Sequence, residues 1–283
     1  MAKYLVDDSR EEIRETFLFD QLEPRGKQRW DDYKYDLKYL KEMFTKYQLS
    51  LYGSSWPTLV IENHDNPRMV SKVNPDPQFR NPLSKLIGAM LLTGRATPYI
   101  FQGEELGMMN CQFKDISEMR DVESINKFAE LQEKGKSKAE AWATILAGSR
   151  DNSRTPMPWN DSENAGFTTG TPWIRLNGDY KECNADAQAK DPASPYNYYK
   201  ALMALRKQYK STLVYGEFTP IKTDDKTFCL YRESKDNKFY IEMNLTENQF
   251  ARPRAAEGEC ILSSYAAPAA TLRPYEVNIY KIR

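Results

Sequence analysis

The sequence predicts an α/β protein: a parallel sheet that carries polar residues at its strand ends, followed by a small antiparallel β domain. Three observations lead there. Short β-branched, apolar runs alternate with helical patterns in the order strand, helix, strand, helix, strand, which is the grammar of βαβ units. The two strongest apolar runs end in clusters of polar side chains, on the side where parallel sheets bind ligands. After Lys210 the pattern breaks into short alternating runs separated by charged turns, as antiparallel strands require.

The strongest run is residues 58–62 (T-L-V-I-E), bounded by Pro57 before it and Asn66-Pro67 after it. It reads as a buried strand that stops at a polar turn. Asn63, His64 and Asp65 occupy that turn, and His64 is the only histidine in the chain. A parallel strand delivering His and Asp at its C-terminal end is where α/β barrels keep their active sites. A His-Asp pair capping an ordinary loop would show the same spacing.

Upstream, residues 9–14 form a charged helical lead into 16–20 (T-F-L-F-D), a short strand ending in a carboxylate. Residues 28–47 predict an amphipathic helix, because Tyr33, Leu37, Leu40 and Phe44 recur at helical steps. Lys34, Lys38 and Lys41 fall off that stripe and read as a solvated face. Residues 82–92 predict a buried helix ended by Gly94, near the position where glycine closes helices. The next buried strand, 98–101, runs into Gln102, Gly103, Glu104 and Glu105.

Residues 115–148 interrupt the alternation with helical sequence, read as an insertion flanking the site. Ile116, Met119, Val122, Ile125 and Phe128 make its first stripe, and residues 139–146 a shorter one. Residues 150–172 form a long loop dense in polar and aromatic groups; such loops inside compact domains are often functional. Residues 196–209 predict a helix with Tyr199, Leu202, Leu205 and Tyr209 inward, and with Arg206 and Lys207 complementing its dipole. Strands follow near 214–219, 227–232, 239–244, 260–262 and 277–280. The expected division is residues 1–211, with the insertion near 115–148, and residues 212–283.

Composition narrows the function. Forty basic and forty acidic residues cancel, so nothing points to nucleic acid. No apolar run has the length of a membrane span, and Met1-Ala-Lys-Tyr does not open a signal peptide. Cys111, Cys183, Cys229 and Cys260 are scattered without a C-x-x-C, as reduced packing residues of a cytoplasmic protein are. One histidine leaves no zinc set, so no metal and no cofactor is expected. A Ser-His-Asp triad lacks its G-x-S-x-G elbow, despite Gly53-Ser54-Ser55. Carboxylates beside aromatic walls and an arginine suit carbohydrate chemistry, in which acid, base and nucleophile are Asp or Glu.

Three stretches carry a resemblance. V-I-E-N-H-D-N-P-R (60–68), T-P-Y-I-F-Q-G-E-E-L-G-M (97–108) and S-R-D-N-S-R-T-P-M-P-W-N (149–160), with N-A-G-F-T-T-G-T-P-W (164–173), closely resemble the oligo-1,6-glucosidase and dextran-glucosidase branch of glycoside hydrolase family 13. The helix N-Y-Y-K-A-L-M-A-L-R-K and the ending L-R-P-Y-E look like the same branch. The resemblance covers essentially the whole chain. It implies the C-terminal part of a (β/α)8 TIM barrel, strands six to eight at 16–20, 58–63 and 97–102, followed by a small antiparallel β-sandwich domain.

Carried over residue by residue, Asp65 matches the family's third carboxylate, which binds sugar hydroxyls and stabilises the oxocarbenium-like transition state. His64 matches the neighbouring histidine on the same sugar, and Arg150 the arginine that clamps the non-reducing-end glucose. Gln102, Glu104 and Glu105 match a signature at the eighth strand, read as buried carboxylates paired with arginines rather than as catalysts. Trp159 and Phe167 are candidate walls of the sugar site. The family's nucleophilic Asp and acid/base Glu end the fourth and fifth strands, for which residues before Thr16 have no room; Asp20 and Glu62 are weak stand-ins. The chain therefore reads as the C-terminal half of a retaining α-glucosidase. Its expected partners are an oligosaccharide and the N-terminal half of the barrel, with no nucleic acid and no membrane. Alternatives are a catalytically dead relative with a binding or assembly role, and a sister activity such as sucrose isomerisation or trehalose-phosphate hydrolysis.

Overall fold

A computed structural model describes residues 15–31 and 33–283, so the lead at 9–14 lies outside the described residues. Helix α1 (Leu37–Ser50) precedes strand β1 (Thr58–Val60), and a crossover through α2 (Met69–Val73) and α3 (Arg80–Thr93) leads to β2 (Thr97–Tyr99). The two strands pair in parallel, Thr58 opposite Thr97 and Val60 opposite Tyr99. This is the βαβ unit that the alternation predicts.

Residues 16–20 run extended beside β1 without forming a ladder strand. Side chains replace the ladder: Thr58 Oγ1 donates to Thr16 O at 2.7 Å, and Gln21 Nε2 donates to Leu18 O and Val60 O, both at 2.7 Å. Alternation still sorts the faces. Leu18 packs toward the core, while Phe17 and Phe19 stack on the other side, where Phe17 meets Tyr99 with ring centroids 4.7 Å apart.

The first helix starts nine residues later than its apolar spacing suggests. Asp36 caps it, its side chain accepting from Lys38 N, and Tyr33 stays outside with the Lys72 ammonium 4.5 Å from its ring centre. Lys34, Lys38 and Lys41 lie off the buried stripe on a largely exposed face, and each also finds a partner. Lys34 pairs with Glu247 at 2.9 Å and Lys38 with Asp225 at 2.8 Å, while Lys41 donates to Thr227 O at 2.7 Å. The face reads as polar because its partners lie almost two hundred residues away.

Helix α3 is buried almost all round, as its composition predicts. Gly94 follows it, but with φ −71° it is not a left-handed cap. Its glycine answers to space instead, since a Cβ there would lie 2.6 Å from Leu59 Cδ1. The insertion holds a 3-10 turn at Ile116–Glu118, α4 (Val122–Glu133) and α5 (Lys138–Gly148). Its predicted first stripe is broken. Asp121 caps α4, so Met119 precedes the helix; Met119 and Phe128 are buried, whereas Val122 and Ile125 face solvent. Phe113, Met119, Phe128, Ala141 and Ile145 form the insertion's own core.

After α6 (Ala185–Lys190), α7 (Pro195–Gln208) packs on α3, where Gly88 admits the Tyr199 ring. A short α8 (Lys210–Leu213) leads to β3 (Glu217–Ile221), which starts later than residue 214 because Val214 still closes that helix. β4 (Thr227–Glu233), β5 (Lys238–Asn244), β7 (Glu259–Ser263) and β9 (Val277–Lys281) complete an antiparallel sheet of order β3-β4-β5-β9-β7. β6 (Phe250–Ala251) and β8 (Thr271–Leu272) pair separately. One apolar core runs from α1, α3 and α7 into this sheet. Among the described residues no helix is long and apolar enough to cross a membrane.

Two buried arginines that have no carboxylate partner among the described residues close the junction. Arg206 donates to Leu92 O, Gly94 O and Leu213 O at 2.8 Å each, and to Ala96 O at 2.6 Å. Arg232 donates to Thr93 O, Thr212 O and Gly216 O. Arg206 thus serves the carbonyl end of α3 rather than of its own helix, in the place where a cation complements aligned peptide dipoles. Burial lowers both guanidinium pKa values, to about 10 for Arg206 and about 9 for Arg232. Replacing Arg206 with Ala leaves four carbonyls without this donor and should cost on the order of 3 kcal/mol, given roughly 1–3 kcal/mol per unsatisfied buried group and partial relief by water. A urea midpoint equal to wild type would contradict that role.

Candidate active site

β1 ends in a turn that the sequence builds locally: the Asn63 side chain accepts from Asp65 N at 2.8 Å, an Asx turn. Below it, Glu62 turns inward. Its Oε2 accepts from Arg68 Nη1 at 2.9 Å and its Oε1 from Met69 N at 2.7 Å, with both side chains of the ion pair 1% exposed. Arg68 Nη1 also donates to Gln102 O at 2.9 Å, tying the end of β1 to the end of β2. Glu62 is therefore no stand-in for a missing catalytic carboxylate.

The arginine that the sequence assigns to Glu104 and Glu105 is thus taken by Glu62. Glu104 is buried and accepts instead from Tyr199 OH at 3.2 Å and Phe101 N at 3.3 Å. Burial, then the neighbouring Glu62 carboxylate, pushes its pKa well above the ordinary value. Glu105 accepts from Gly103 N at 2.8 Å, where φ is +86° and a side chain would run into Met108. Gln102 stays exposed at the mouth.

His64 and Asp65 project outward, with side chains 68% and 51% exposed and His64 Nε2 3.3 Å from Asp65 Oδ2. Three arginines surround them. Arg154 donates Nε to His64 O at 2.9 Å and Nη2 to Asp65 Oδ1 at 3.2 Å. Arg150 Nη1 stands 3.5 Å from the same Oδ1, and Arg29 Nη1 donates to Asp65 O at 3.2 Å. The carboxylate is held in one orientation yet keeps an exposed edge for a ligand. Arg150 itself sits in a 3-10 turn (Arg150–Ser153) capped by Ser149. Its Nε and Nη2 grip Asp121 at 3.1 and 2.5 Å.

The structure brings Asp65, His64 and Arg150 together from segments almost ninety residues apart. A cavity of about 400 Å³ opens beside His64, lined also by Phe101, Gln102, Arg154, Phe167 and Trp173. Phe167 walls it as expected; Trp159 is exposed and does not line it. Sequence reasoning missed Arg29, Arg154, Asp121 and Trp173. Asp121 carried a signal, since Asp directly before an apolar helical run with Glu two residues on marks a helix start. Arg154 stood four residues from Arg150 in the same motif, whereas nothing in sequence links Arg29 to residue 65. A larger cavity of about 1190 Å³, bordered by Arg80, Asn110 and Asp179, contains none of the three candidate residues.

With this geometry in hand, comparison with known proteins is decisive. The family described as "Alpha amylase, catalytic domain" matches residues 1–216. The chain belongs to the α-amylase family. The oligo-1,6-glucosidase of Parageobacillus thermoglucosidasius is 40% identical over 295 residues, covering 98% of this chain and 52% of that protein. The trehalose-6-phosphate hydrolase of Bacillus subtilis (strain 168) is 37% identical, covering 99% of this chain and 52% of its own. The crystal structure of isomaltulose synthase from Klebsiella sp. LX3 superposes with TM-score 0.91 at 32% identity, over 100% of this chain and 53% of that one. The chain spans about half the length of the curated relatives it matches, and it corresponds to the C-terminal part of their barrel with the following β domain.

The buried Glu104 generates a pH test. A carboxyl whose folded pKa is raised takes up a proton on folding, so its stabilisation is complete below the ordinary value of 4.5 and is lost as pH rises through the folded pKa. Glu104→Gln keeps the neutral shape without the proton. Urea melts of variant and wild type should coincide below pH 4.5 and separate at pH 8, with Glu104→Gln the more stable. A gap that is absent at pH 8, or that widens on acidification, would place the proton elsewhere.

Proposed function

We propose that this chain supplies the C-terminal half of the catalytic barrel of a retaining α-glucosidase, cleaving α-1,6 or α-1,4 bonds at the non-reducing end of isomalto-oligosaccharides or dextran. The observation that carries the reading is the constellation at the end of β1. Asp65 is held between Arg150 and Arg154 with an open edge, beside His64 and an aromatic-walled cavity. In this reading Asp65 hydrogen-bonds ring hydroxyls of the glucose at the cleavage point. Those bonds tighten as the ring flattens, so they lower the barrier and not only the Michaelis constant. His64 holds hydroxyls of the same sugar, and Arg150 closes off the glucose end, which limits release to single glucose units.

The nucleophilic Asp and the acid/base Glu come, in this reading, from the N-terminal half of the barrel, which the chain does not span. The two carboxyl groups of a retaining enzyme stand roughly 5–5.5 Å apart across the scissile bond. Glu62, locked on Arg68, is unsuited to either role. The chain alone is therefore inactive, and the barrel is complete only with its other half. A cytoplasmic setting is part of the proposal, supported by four cysteines of which three are buried and none is in a disulfide.

The test is turnover by the complete barrel on isomaltose, with maltose, sucrose and trehalose 6-phosphate alongside. Asp65→Asn should lower kcat roughly a hundred- to a thousandfold, the range for loss of one transition-state hydrogen-bonding group. Arg150→Ala should raise KM on a small α-glucoside tenfold or more, as loss of a binding contact does. Undiminished turnover by Asp65→Asn would leave a binding or assembly role for this chain. Preference for sucrose or trehalose 6-phosphate would move the assignment to a sister activity.

A further inference from the structure

The insertion at 115–148 has no part in the proposal so far, yet its first helix supplies the strongest contact that Arg150 makes. We propose that Asp121, the cap of α4, is the positioning residue of Arg150, so that the insertion sets the geometry of the glucose-end clamp. The inference rests on the glucosidase reading for what the clamp binds, but not for how it is held.

Donors and acceptors fix the orientation of Arg150. A guanidinium has five N–H donors in a rigid plane. Arg150 commits Nε and Nη2 side by side to the two oxygens of Asp121, the fork-on-fork arrangement in which a carboxylate fixes the plane as well as the charge. The second N–H of Nη2 turns to Glu123 at 3.4 Å, and Nη1 faces Asp65 at 3.5 Å. Once the plane is fixed, so is the direction of Nη1.

Asp121 is itself immobile. Its side chain is 1% exposed, whereas that of Arg150 is 25% exposed and that of Asp65 51%. Ser124 Oγ donates to its Oδ2 at 2.9 Å and Glu123 N to its Oδ1 at 3.2 Å. The backbone N–H groups of Arg120 and Asp121 both donate to the buried Asp151 carboxylate, at 2.6 and 2.9 Å. The residue next to Arg150 in sequence thus anchors the peptide that carries the partner of Arg150. Glu123 adds charge from the same helix, 3.4 Å from Arg150 and 2.7 Å from Arg29. Insertion and catalytic loop form one closed hydrogen-bonded circuit around the arginine.

A merely structural role for Asp121 predicts something different. Asp, Asn and Ser cap helices about equally well, so both replacements keep the helix start. Asp121→Asn removes the negative charge and one of the two oxygens that Arg150 grips, and Asp121→Ser removes the charge and both oxygens. The experiment compares urea midpoint, KM and kcat on isomaltose in the complete barrel, and the Arg150 side-chain Nε–H signal by NMR. The proposal expects a near-unchanged midpoint, KM raised tenfold or more with a smaller change in kcat, and broadening or loss of the Nε–H signal. Wild-type KM with a retained Nε–H signal in both variants would overturn it. So would a loss of stability with KM unchanged in whichever variant folds. If wild-type barrel leaves isomaltose and the sister substrates untouched while the Nε–H signal still depends on Asp121, the positioning stands and the glucosidase reading falls.

Discussion

The site depends on one buried ion pair. Glu62 leaves the end of β1 pointing into the protein, and Arg68 returns to meet it from the far side of the turn. Between them the chain has to bulge outward, and His64 and Asp65 are the residues on that bulge. Arg68 also reaches Gln102 O, so the same guanidinium spaces the ends of the two parallel strands. Burying such a pair brings little net stability, because the desolvation of both charges offsets most of their attraction. What it does confer is a single geometry, since Met69 N holds the second Glu62 oxygen and Gln102 O takes a further bond from Arg68.

A second carboxyl in the same region, Glu104, has no arginine among the described residues and is driven toward its neutral form. Two buried carboxyl groups beside one cation cannot both remain charged at ordinary pH. The division of labour follows from position. Glu62 faces Arg68, while Glu104 faces the Tyr199 hydroxyl on α7 and the backbone of its own loop. Above them Asp65 lies half exposed among arginines, an environment that keeps a carboxylate oriented and open to ligand. The protein thus uses three acidic side chains within two strand ends in three different ways.

The β domain is part of this arrangement, not an appendage to it. Arg232 on β4 donates to Thr93 O at the end of α3, and Lys38 and Lys41 of α1 reach Asp225 and Thr227 at the start of β4. The apolar core is continuous across the junction. The carbonyl end of the helix that crosses from β1 to β2 is therefore held in part by the second domain.

Much was legible in the sequence because it depends on short-range pattern. Alternating β-branched and apolar residues mark β1, the all-round apolar run marks α3, and paired turn residues place His64 and Asp65 at a strand end. The resemblance also assigned Asp65, His64 and Arg150 to one sugar, and the comparisons agree on the family. The failures differ in cause: the stripe at residues 116–128 is broken locally, because Asp121 caps α4, whereas the partner of Glu104 is the Tyr199 hydroxyl, distant in sequence. Residues 16–20 have the composition of a strand, yet bonds from Thr58 and Gln21 hold them without a ladder. Local sequence determined which segments are helical, extended or turned, since those choices rest on backbone sterics and side-chain periodicity. Tertiary structure alone decided which charges meet, because the energy of a charge depends on its burial and on what faces it, and neither quantity is local.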